Sequence, residues 1–527
     1  MKKITIFMAL GLLSAASLKA QTVYDAAKIS DSDLNGTARF VGMGGAMGAL
    51  GGDISTMGVN PAGIGLYRSN DVMTSFGLSR YGTESDYYGK KFKKDGTQGS
   101  FDNIGFVFAS KYGNATALRY INFGFNYHRS KSFYRNMTME GDMGYAGDGV
   151  PLLQTFQMAD MATLAPDFNY GSKDAFYDYG WLPSLGWQGG LLYQSEDKAY
   201  HPYIVDPAYS KFRTRERGGI GQYDFNVAFN LNDRVYLGMT VGIYDVDYTK
   251  SIAYDEDYGN LEGYYLGTDS RIYGTGFDVK FGAIIRPFAE SPFRIGLALH
   301  TPTFYRLTSE SSALLEADVF NEPGDKETTR YTVDTYDALG NRTMKNEYRL
   351  RTPWTYNVSL GYTIGSSIAL GAEYEYKDYS SIKYANRDGD TDAYAFENSS
   401  SSFLKGVNTF RVGLEYKVIP QFAFRLGYNY SSDLFSKNAF KELASDAIDT
   451  DTDFTNKFAT NRYTIGVGYR GSMFYADLAY QFSTYKSEFF PFINPYQENG
   501  AWQIASPAPT KVTDSRSQVL LTLGFRF

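Results

Sequence analysis

The chain contains no cysteine and only three histidines, His128, His201 and His300. The absence of cysteine excludes a disulfide framework and thiolate chemistry. The sequence also has no G-x-S-x-G and no H-E-x-x-H pattern, so the histidines form no recognisable nucleophilic triad or zinc protease site. We therefore expect no catalytic residue, no metal site and no cofactor, and we predict that the protein is not an enzyme.

Positive charge and long apolar runs are also scarce. Lys and Arg number 51 against 58 Asp and Glu, giving a net charge of −7, which argues against a nucleic-acid partner because such binding needs a basic face. Residues 1–20 are typical of a secretory signal, with Lys2 and Lys3 before a short apolar core and Ala20 at its end. No later stretch approaches the roughly 18 apolar residues of a spanning helix. We predict an exported chain without a transmembrane helix.

Aromatic residues and glycine are abundant, with 46 Tyr, 38 Phe and 54 Gly, although the mean hydropathy is only −0.35. Most of residues 71–527 alternates apolar with polar side chains, as in 121–129, 223–231 and 409–418. Because successive side chains of a strand point to opposite faces, this pattern predicts strands with one apolar and one polar face. Alternation alone fits both a soluble β-sandwich and a membrane β-barrel, so the connections between strands must distinguish these two folds.

Short turns alternate with long polar stretches, the longest from about residue 131 to 220, as in outer-membrane barrels with short periplasmic turns and long extracellular loops. The sequence ends in QVLLTLGFRF, an amphipathic strand whose last residue, Phe527, resembles the signal recognised by the barrel assembly machinery. We predict an all-β, 14-stranded antiparallel transmembrane β-barrel, a monomer surrounded by outer-membrane lipid in a Gram-negative bacterium. The predicted strands begin near residues 71, 101, 117, 221, 234, 272, 292, 351, 367, 406, 421, 461, 473 and 515.

The glycine-rich segment before the first strand invites a phosphate-loop interpretation, which fails. A G-x-G-x-x-G match begun at Gly42 breaks at Met47, and no strand precedes it. A flexible tail is the alternative, but the segment carries many large apolar side chains that favour burial. A barrel of about fourteen strands is too wide for its own side chains to fill. We therefore predict an N-terminal plug over residues 21–70 and a barrel over 71–527.

The stretch ARFVGMGGAMGALGGDISTMGVNPAGI (38–64) resembles the hatch signature of the FadL family, outer-membrane transporters of long-chain fatty acids and other hydrophobic molecules. Stretches 276–302, 352–380, 409–431 and 461–482 also resemble this family. The resemblance implies a hatch that closes the barrel and a ligand that leaves sideways through a kink in the third strand. We expect this kink at Gly124, because glycine weakens a strand ladder. The hatch residues implied are Asp53, Ser55, Thr56, Asn60, Pro61, Ala62 and Gly63.

An acidic ligand would need cations that face the lumen. The inward side of the alternation supplies five candidates for contacts with the ligand headgroup, namely Arg294, His300, Arg411, Arg425 and Arg462. The alternative is that they form cross-lumen ion pairs that stiffen the barrel, with Glu373, Glu375, Glu415 and Asp477 nearby in the pattern.

Two loop stretches leave alternatives open. Residues 151–166 form either an exposed apolar patch for a ligand or partner or a cap over the barrel mouth. Residues 386–397 carry oxygen ligands at calcium-loop spacing but have Thr391 where that loop requires glycine, so we favour a solvated loop.

The sequence thus predicts an outer-membrane channel for passive uptake of hydrophobic molecules, long-chain fatty acids or similar lipids, with lateral release into the membrane. The alternative is an outer-membrane docking or shuttle protein of a type IX-like secretion system, because one branch of proteins with this fold resembles the shuttle protein of that system. A general polar-solute porin is a third possibility, and the predicted plug disfavours it.

Overall fold

The computed structural model describes residues 21–113, 116–146, 149–322, 325–498 and 501–527. The predicted signal sequence, residues 1–20, lies outside the described residues. Within the described ranges, no helix combines the length and the apolar character needed to cross a membrane.

Twenty-three strands are described across these ranges, and most of them belong to one continuous sheet. Their bounds are β1 Asp71–Tyr87, β2 Lys90–Lys111, β3 Leu118–Ser132, β4 Arg135–Asp142, β5 Leu192–Gln194, β6 Tyr200–Pro202, β7 Tyr209–Leu231, β8 Val235–Asp257, β9 Gly263–Ile285, β10 Arg294–His300, β11 Phe304–Val319, β12 Thr329–Asp334, β13 Met344–Arg351, β14 Thr355–Ile364, β15 Ile368–Asp378, β16 Lys383–Asn386, β17 Gly406–Ile419, β18 Phe422–Ser431, β19 Phe454–Arg470, β20 Phe474–Phe490, β21 Asn494–Glu498, β22 Ala501–Ala505 and β23 Thr510–Arg526.

The large sheet closes into a 14-stranded antiparallel β-barrel, as the sequence predicts. Closure is made by β1 and β23, which pair from Asp71↔Arg526 to Asp86↔Lys511. Several positions around the described barrel combine consecutive strands: β3 continues into β4, β10 into β11, β13 into β14, and β15 into β16. Closure leaves the barrel without the exposed sheet edges that hydrocarbon does not tolerate.

The apolar residues of the alternating pattern lie on the outer face. Phe225, Phe424 and Ile465 are 50%, 54% and 54% exposed, and they belong to an apolar band that surrounds the barrel. Polar residues from the same strands, such as Asn226 and Thr464, are buried against the interior. An apolar outer band with a polar interior is the pattern of transmembrane barrels.

The predicted short turns all lie at one end of the barrel, which we name the turn end, and the long connections lie at the opposite, loop end. Two short connections at the loop end depart from the expected alternation. Tyr88 and Gly89 alone join β1 to β2, and both have positive φ, 49° and 85°, which suits a tight hairpin turn. Five residues, 258–262, join β8 to β9.

Two adjacent strands of the barrel wall are each interrupted, and the two interruptions lie side by side. Pro302 separates β10 from β11, and Pro353 separates β13 from β14. Proline has no N–H to donate to a ladder, so pairing breaks at both sites. Thr352 nevertheless links the two breaks, because its N–H donates to the Thr303 carbonyl at 3.1 Å and its hydroxyl accepts from the Thr303 N–H at 2.8 Å.

A cap of loop residues covers the loop end. Residues 151–166 contribute α3 (Gln154–Thr163), whose Met158 and Met161 are buried in an apolar cluster with Trp181. The other short helices of the loops are α4 Ala175–Asp178, α5 Trp181–Gln188, α6 Thr335–Ala338 and α7 Ala395–Ser399. Of the two alternatives for residues 151–166, the structure shows the cap.

In the loop of residues 386–397, the Asn386 side-chain oxygen accepts backbone N–H groups of that loop.

The N-terminal segment, residues 21–70, enters the barrel and forms α1 (Val23–Ser30), α2 (Ala38–Gly42) and two 3₁₀ helices, Ile54–Gly58 and Pro61–Leu66. Its apolar residues are buried against the wall, as with Ile54 and Met57 in one cluster and Met47 in another. The segment therefore fills the lumen from the turn end upward.

Candidate functional site

The Asn60-Pro61-Ala62 turn is anchored to the barrel wall. Asn60 is fully buried, and its side-chain amide donates to the Gly48 and Ala283 carbonyls at 2.9 and 3.2 Å. Its side-chain oxygen accepts from the Ala62 N–H at 3.2 Å, which caps the following 3₁₀ helix. Asn60 thus ties the turn to the segment itself and to β9.

Glycines of adjacent strands make room for this turn. Gly238 of β8 pairs directly with Gly282 of β9. A Cβ on Gly238 would overlap the Pro61 carbonyl, and a Cβ on Gly282 would overlap the Asn60 side-chain oxygen and lie 2.8 Å from Pro61 Cδ. The absence of side chains at both positions therefore lets the two backbones approach closely.

The remaining hatch residues stabilise the segment internally. The Asp53 carboxylate accepts the Thr37 hydroxyl at 2.8 Å and caps the 3₁₀ helix through the Ser55 N–H at 3.0 Å. The Ser55 hydroxyl accepts the Thr37 N–H at 2.8 Å, and the Thr56 hydroxyl donates to the Asp53 carbonyl at 2.6 Å. Gly63 is buried and its carbonyl accepts the Gly52 N–H at 3.0 Å, which closes the loop between the two halves of the signature.

Gly124 lies in an uninterrupted part of β3. It pairs with Val107 on β2 and with Asn226 on β7, and the register irregularities of this strand fall elsewhere. A Cβ at Gly124 would overlap the Met57 methyl group of the N-terminal segment. Gly124 therefore lies against the segment, and strand pairing is continuous at this position.

Two of the five predicted lumen cations are neutralised by carboxylates of other barrel strands. Arg411 pairs with Glu373 and, at 3.0 Å, with Glu375. Arg425 pairs with Glu415 at 2.7 Å and Asp477 at 2.6 Å, and Arg39 of the N-terminal segment joins Glu415 at 2.9 Å. These arginines cross-link the wall, as in the ion-pair alternative.

Two further predicted contact residues, His300 and Arg294, hold the N-terminal segment. The His300 ring lies 2.9 Å from the Val59 carbonyl, and Arg294 donates to the Leu50 carbonyl at 2.7 Å. These contacts occupy the groups that the sequence offers as ligand contacts.

Arg462 differs from the other arginines. It is buried and donates to the Asn429 side-chain oxygen at 3.0 Å and to the Ser431 hydroxyl at 3.2 Å, and it forms no ion pair with any residue that the structure describes. The nearby Asp31 carboxylate is engaged by Lys131 at 2.7 Å and Lys457 at 3.0 Å. Burial raises the pKa of Asp31, but the attraction of these two lysines outweighs it and holds the pKa well below its usual value.

Arg462 lines two cavities of the lumen. The loop-side cavity, of about 210 Å³, adds apolar side chains that include Phe133, Leu434 and Phe435. The plug-side cavity, of about 190 Å³, extends past Arg462 toward the wall at Tyr305. Tyr305 also lines an outer-wall cavity of about 1250 Å³ beside the two proline breaks. Arg462 therefore borders both lumen cavities, and Tyr305 lies between the plug-side cavity and the outer-wall cavity.

Sequence reasoning missed Tyr305 and the two breaks in pairing. The repeated Thr-Pro at 301–302 and 352–353 was an available signal, because proline within a strand pattern marks an interruption. Tyr305 carries no such signal, since its place between two cavities depends on how the neighbouring strands close.

The fold and the lumen define a plugged, 14-stranded β-barrel of the kind formed by outer-membrane transporters. The solved structure of a Pseudomonas aeruginosa FadL homologue shares this fold: it aligns over 97% of this chain and 100% of its own length, with a TM-score of 0.51 and 13% identity. At this identity the likeness concerns the fold. No protein-family model and no curated protein matches the chain.

Two toluene transporters also align. The alignment with Pseudomonas putida TodX covers 94% of this chain and 99% of the TodX chain, at 10% identity and a TM-score of 0.46. The alignment with Ralstonia pickettii TbuX covers 94% of this chain and 99% of the TbuX chain, at 13% identity and a TM-score of 0.44.

Proposed function

We propose that this protein is a Gram-negative outer-membrane channel for passive uptake of hydrophobic molecules, with long-chain fatty acids or similar lipids as its cargo. The observation that carries the proposal is the presence of three adjoining cavities, one under the loop cap, one beside the N-terminal segment and one at the outer wall. A polar-solute pore would instead run along the barrel axis, which the N-terminal segment occupies.

The loop-side cavity has the chemistry for an amphiphile. Phe133, Leu434 and Phe435 offer apolar contact, and Arg462 offers a guanidinium that forms no ion pair with any described residue. A guanidinium binds a carboxylate through charge-assisted hydrogen bonds. We assign Arg462, rather than the other four predicted cations, to the headgroup of an acidic cargo.

We infer from the small lumen cavities that the structure represents a closed state of the channel. Each lumen cavity is smaller than the roughly 300–1,000 Å³ of usual ligand pockets, so a long acyl chain needs both of them or a displacement of the cap. Movement requires no coupled energy source, because each methylene gains about 0.8 kcal/mol on entering lipid.

We propose lateral release at the proline breaks in place of the expected exit at β3. Pairing is continuous at Gly124, whereas it is interrupted at Pro302 and Pro353. Among the described residues, Tyr305 alone lines both the plug-side and the outer-wall cavity, so we infer that a rotation of its side chain would join them. This route delivers the cargo to the membrane without exposing it to periplasmic water.

Uptake by cells that lack the chain tests the proposal. Labelled oleate and its uncharged analogue, labelled oleyl alcohol, are offered to the deletion strain carrying the parent, Arg462→Gln or Arg294→Gln. We expect the parent to restore uptake of both compounds. Arg462→Gln is expected to lower the ratio of oleate to oleyl alcohol uptake on the order of tenfold, since a charge-assisted hydrogen bond is lost.

Arg294→Gln is the matched control because Arg294 also donates to a carbonyl but lines none of the three cavities. Its ratio is expected to equal that of the parent. Failure of the parent to restore uptake of either compound would exclude the channel. Restored uptake with an unchanged ratio in Arg462→Gln would exclude the headgroup assignment alone.

The loop cap supports a second candidate, a docking or shuttle protein for protein secretion. Its helices α3 and α5 bury Met158, Trp181 and Leu185 in a continuous cluster, so the loop end presents an ordered surface to a partner. A secretion defect in the deletion strain, with normal uptake of oleate and oleyl alcohol, would favour this candidate over the channel.

A further inference from the structure

Four cations form a patch on the outer wall above the proline breaks. Arg306 of β11 pairs directly with Arg349 of β13, and Arg351 of β13 pairs directly with Lys383 of β16. Their strand neighbours Tyr305, Leu350 and Tyr384 are buried toward the interior, so the four side chains share the outer face. We name these four residues the basic patch.

The basic patch contains two like-charge cross-strand pairs. Residues directly opposite each other on antiparallel strands have Cβ atoms about 4.5–5.5 Å apart, and like charges at that spacing are destabilising. The chain as a whole carries a net charge of −7, so the patch does not reflect a general excess of basic residues. Such an arrangement is stabilised by an anion placed between the cations.

Several other outward cations beyond the apolar band have carboxylate partners. Arg271 pairs with Asp247 at 2.9 Å, Arg213 with Asp255 at 3.1 Å, and Lys345 with Glu310 at 2.6 Å. The four residues of the basic patch form no ion pair and no side-chain hydrogen bond with any residue of the described ranges. The Arg349 Nε is buried there without a partner.

The patch surrounds the outer-wall cavity of about 1250 Å³. Ile243, Phe277 and Phe304 form the apolar side of this cavity and are 43%, 54% and 43% exposed. The loop of residues 387–405 covers the opposite side and contributes Asp392, the one carboxylate of the described lining. Apolar side chains therefore lie toward the membrane and four cations lie above them, at the boundary of the apolar band.

We propose that the basic patch binds the phosphorylated headgroup of an outer-leaflet lipid, whose acyl chains lie against Phe277 and Phe304. Guanidinium groups bind phosphate through paired charge-assisted hydrogen bonds, and basic pockets beside membrane-spanning segments bind anionic lipid headgroups. The bound lipid neutralises the two like-charge pairs and stabilises β11, β13 and β16 beside the breaks. This inference does not depend on the uptake function.

Binding is measured on the full-length protein in detergent by native mass spectrometry. The probes are bisphosphorylated lipid A and dephosphorylated lipid A with the same acyl chains. The double variant R349Q/R351Q removes one cation from each like-charge pair, and Arg271→Gln, which removes a cation paired with Asp247, is the matched control. We expect the parent and Arg271→Gln to bind the phosphorylated lipid, and the double variant to bind it more weakly by on the order of tenfold.

The thermal unfolding midpoint supplies an independent readout and shows that the variants fold. Without lipid, R349Q/R351Q is expected to unfold at a higher temperature than the parent, because the repulsion is relieved; added lipid A is expected to stabilise the parent more than the variant. Equal binding of dephosphorylated lipid A, or undiminished binding by R349Q/R351Q, would overturn the proposal. So would equal stabilisation by inorganic phosphate or by oleate.

Discussion

Gly282→Ala is the sharpest test of how the N-terminal segment is anchored. The new methyl group would overlap the Asn60 side-chain oxygen and lie 2.8 Å from Pro61 Cδ, and Asn60 is fully buried with no space to retreat. Overpacking of this kind costs about 1–3 kcal/mol. If the cost falls on the anchored state, the population of the displaced segment rises by a factor of roughly 5 to 150.

Ion conductance in planar bilayers detects that displacement, because a barrel of this width conducts once its plug is gone. Gly99→Ala is the matched control, since Gly99 also lies in a barrel strand but a Cβ there meets nothing within 4 Å. We expect frequent opening events for Gly282→Ala and parent-like closure for Gly99→Ala. Parent-like closure of Gly282→Ala, with unchanged hydrogen exchange in residues 53–66, would refute the anchoring argument.

Three other changes have defined outcomes. Asn60→Asp keeps the cap on Ala62 but loses both donated hydrogen bonds, so we expect the N-terminal segment to lose about 1–3 kcal/mol, measured by hydrogen exchange. Trp181→Ala removes a fully buried side chain of the cap and should cost about 3–5 kcal/mol, measured as faster proteolysis of residues 143–208 with the barrel intact. Burial, reinforced by the nearby Glu442, raises the pKa of Asp160 to about 7. The folded cap therefore binds this proton more tightly than the unfolded loop, and its stability should fall as the pH rises from about 4 to 7, a trend that Asp160→Asn should weaken in proteolysis against pH.

The barrel was predictable where strands face lipid on one side and the lumen on the other. β23 and β18 show clear alternation, and their starts differ from the predicted ones by a few residues. β2 begins at Lys90 instead of near residue 101, because its first half, KKFKKDGTQGS, extends beyond the apolar band and has polar residues on both faces. Alternation disappears where water contacts both sides of a strand.

The lumen was predictable only in part. The inward direction of Arg411, Arg425 and Arg462 follows from period two, but their roles depend on which carboxylates the neighbouring strands bring within reach. Arg425 meets Glu415 from the adjoining β17 and Asp477 from β20, two strands away, whereas Arg462 meets an amide and a hydroxyl among the described residues. A single sequence contains no signal for this difference, because the register between strands is fixed only when the barrel closes.

A structure of the full-length protein bound to a brominated long-chain fatty acid tests the central claim most directly. The account predicts bromine and acyl density in the loop-side and plug-side cavities, with the carboxylate at Arg462, and continuity toward Tyr305 and the outer-wall cavity. An unliganded lumen at saturating fatty acid, with Arg462 still bound to Asn429 and Ser431 and the acyl chain confined to the outer apolar band, would contradict it.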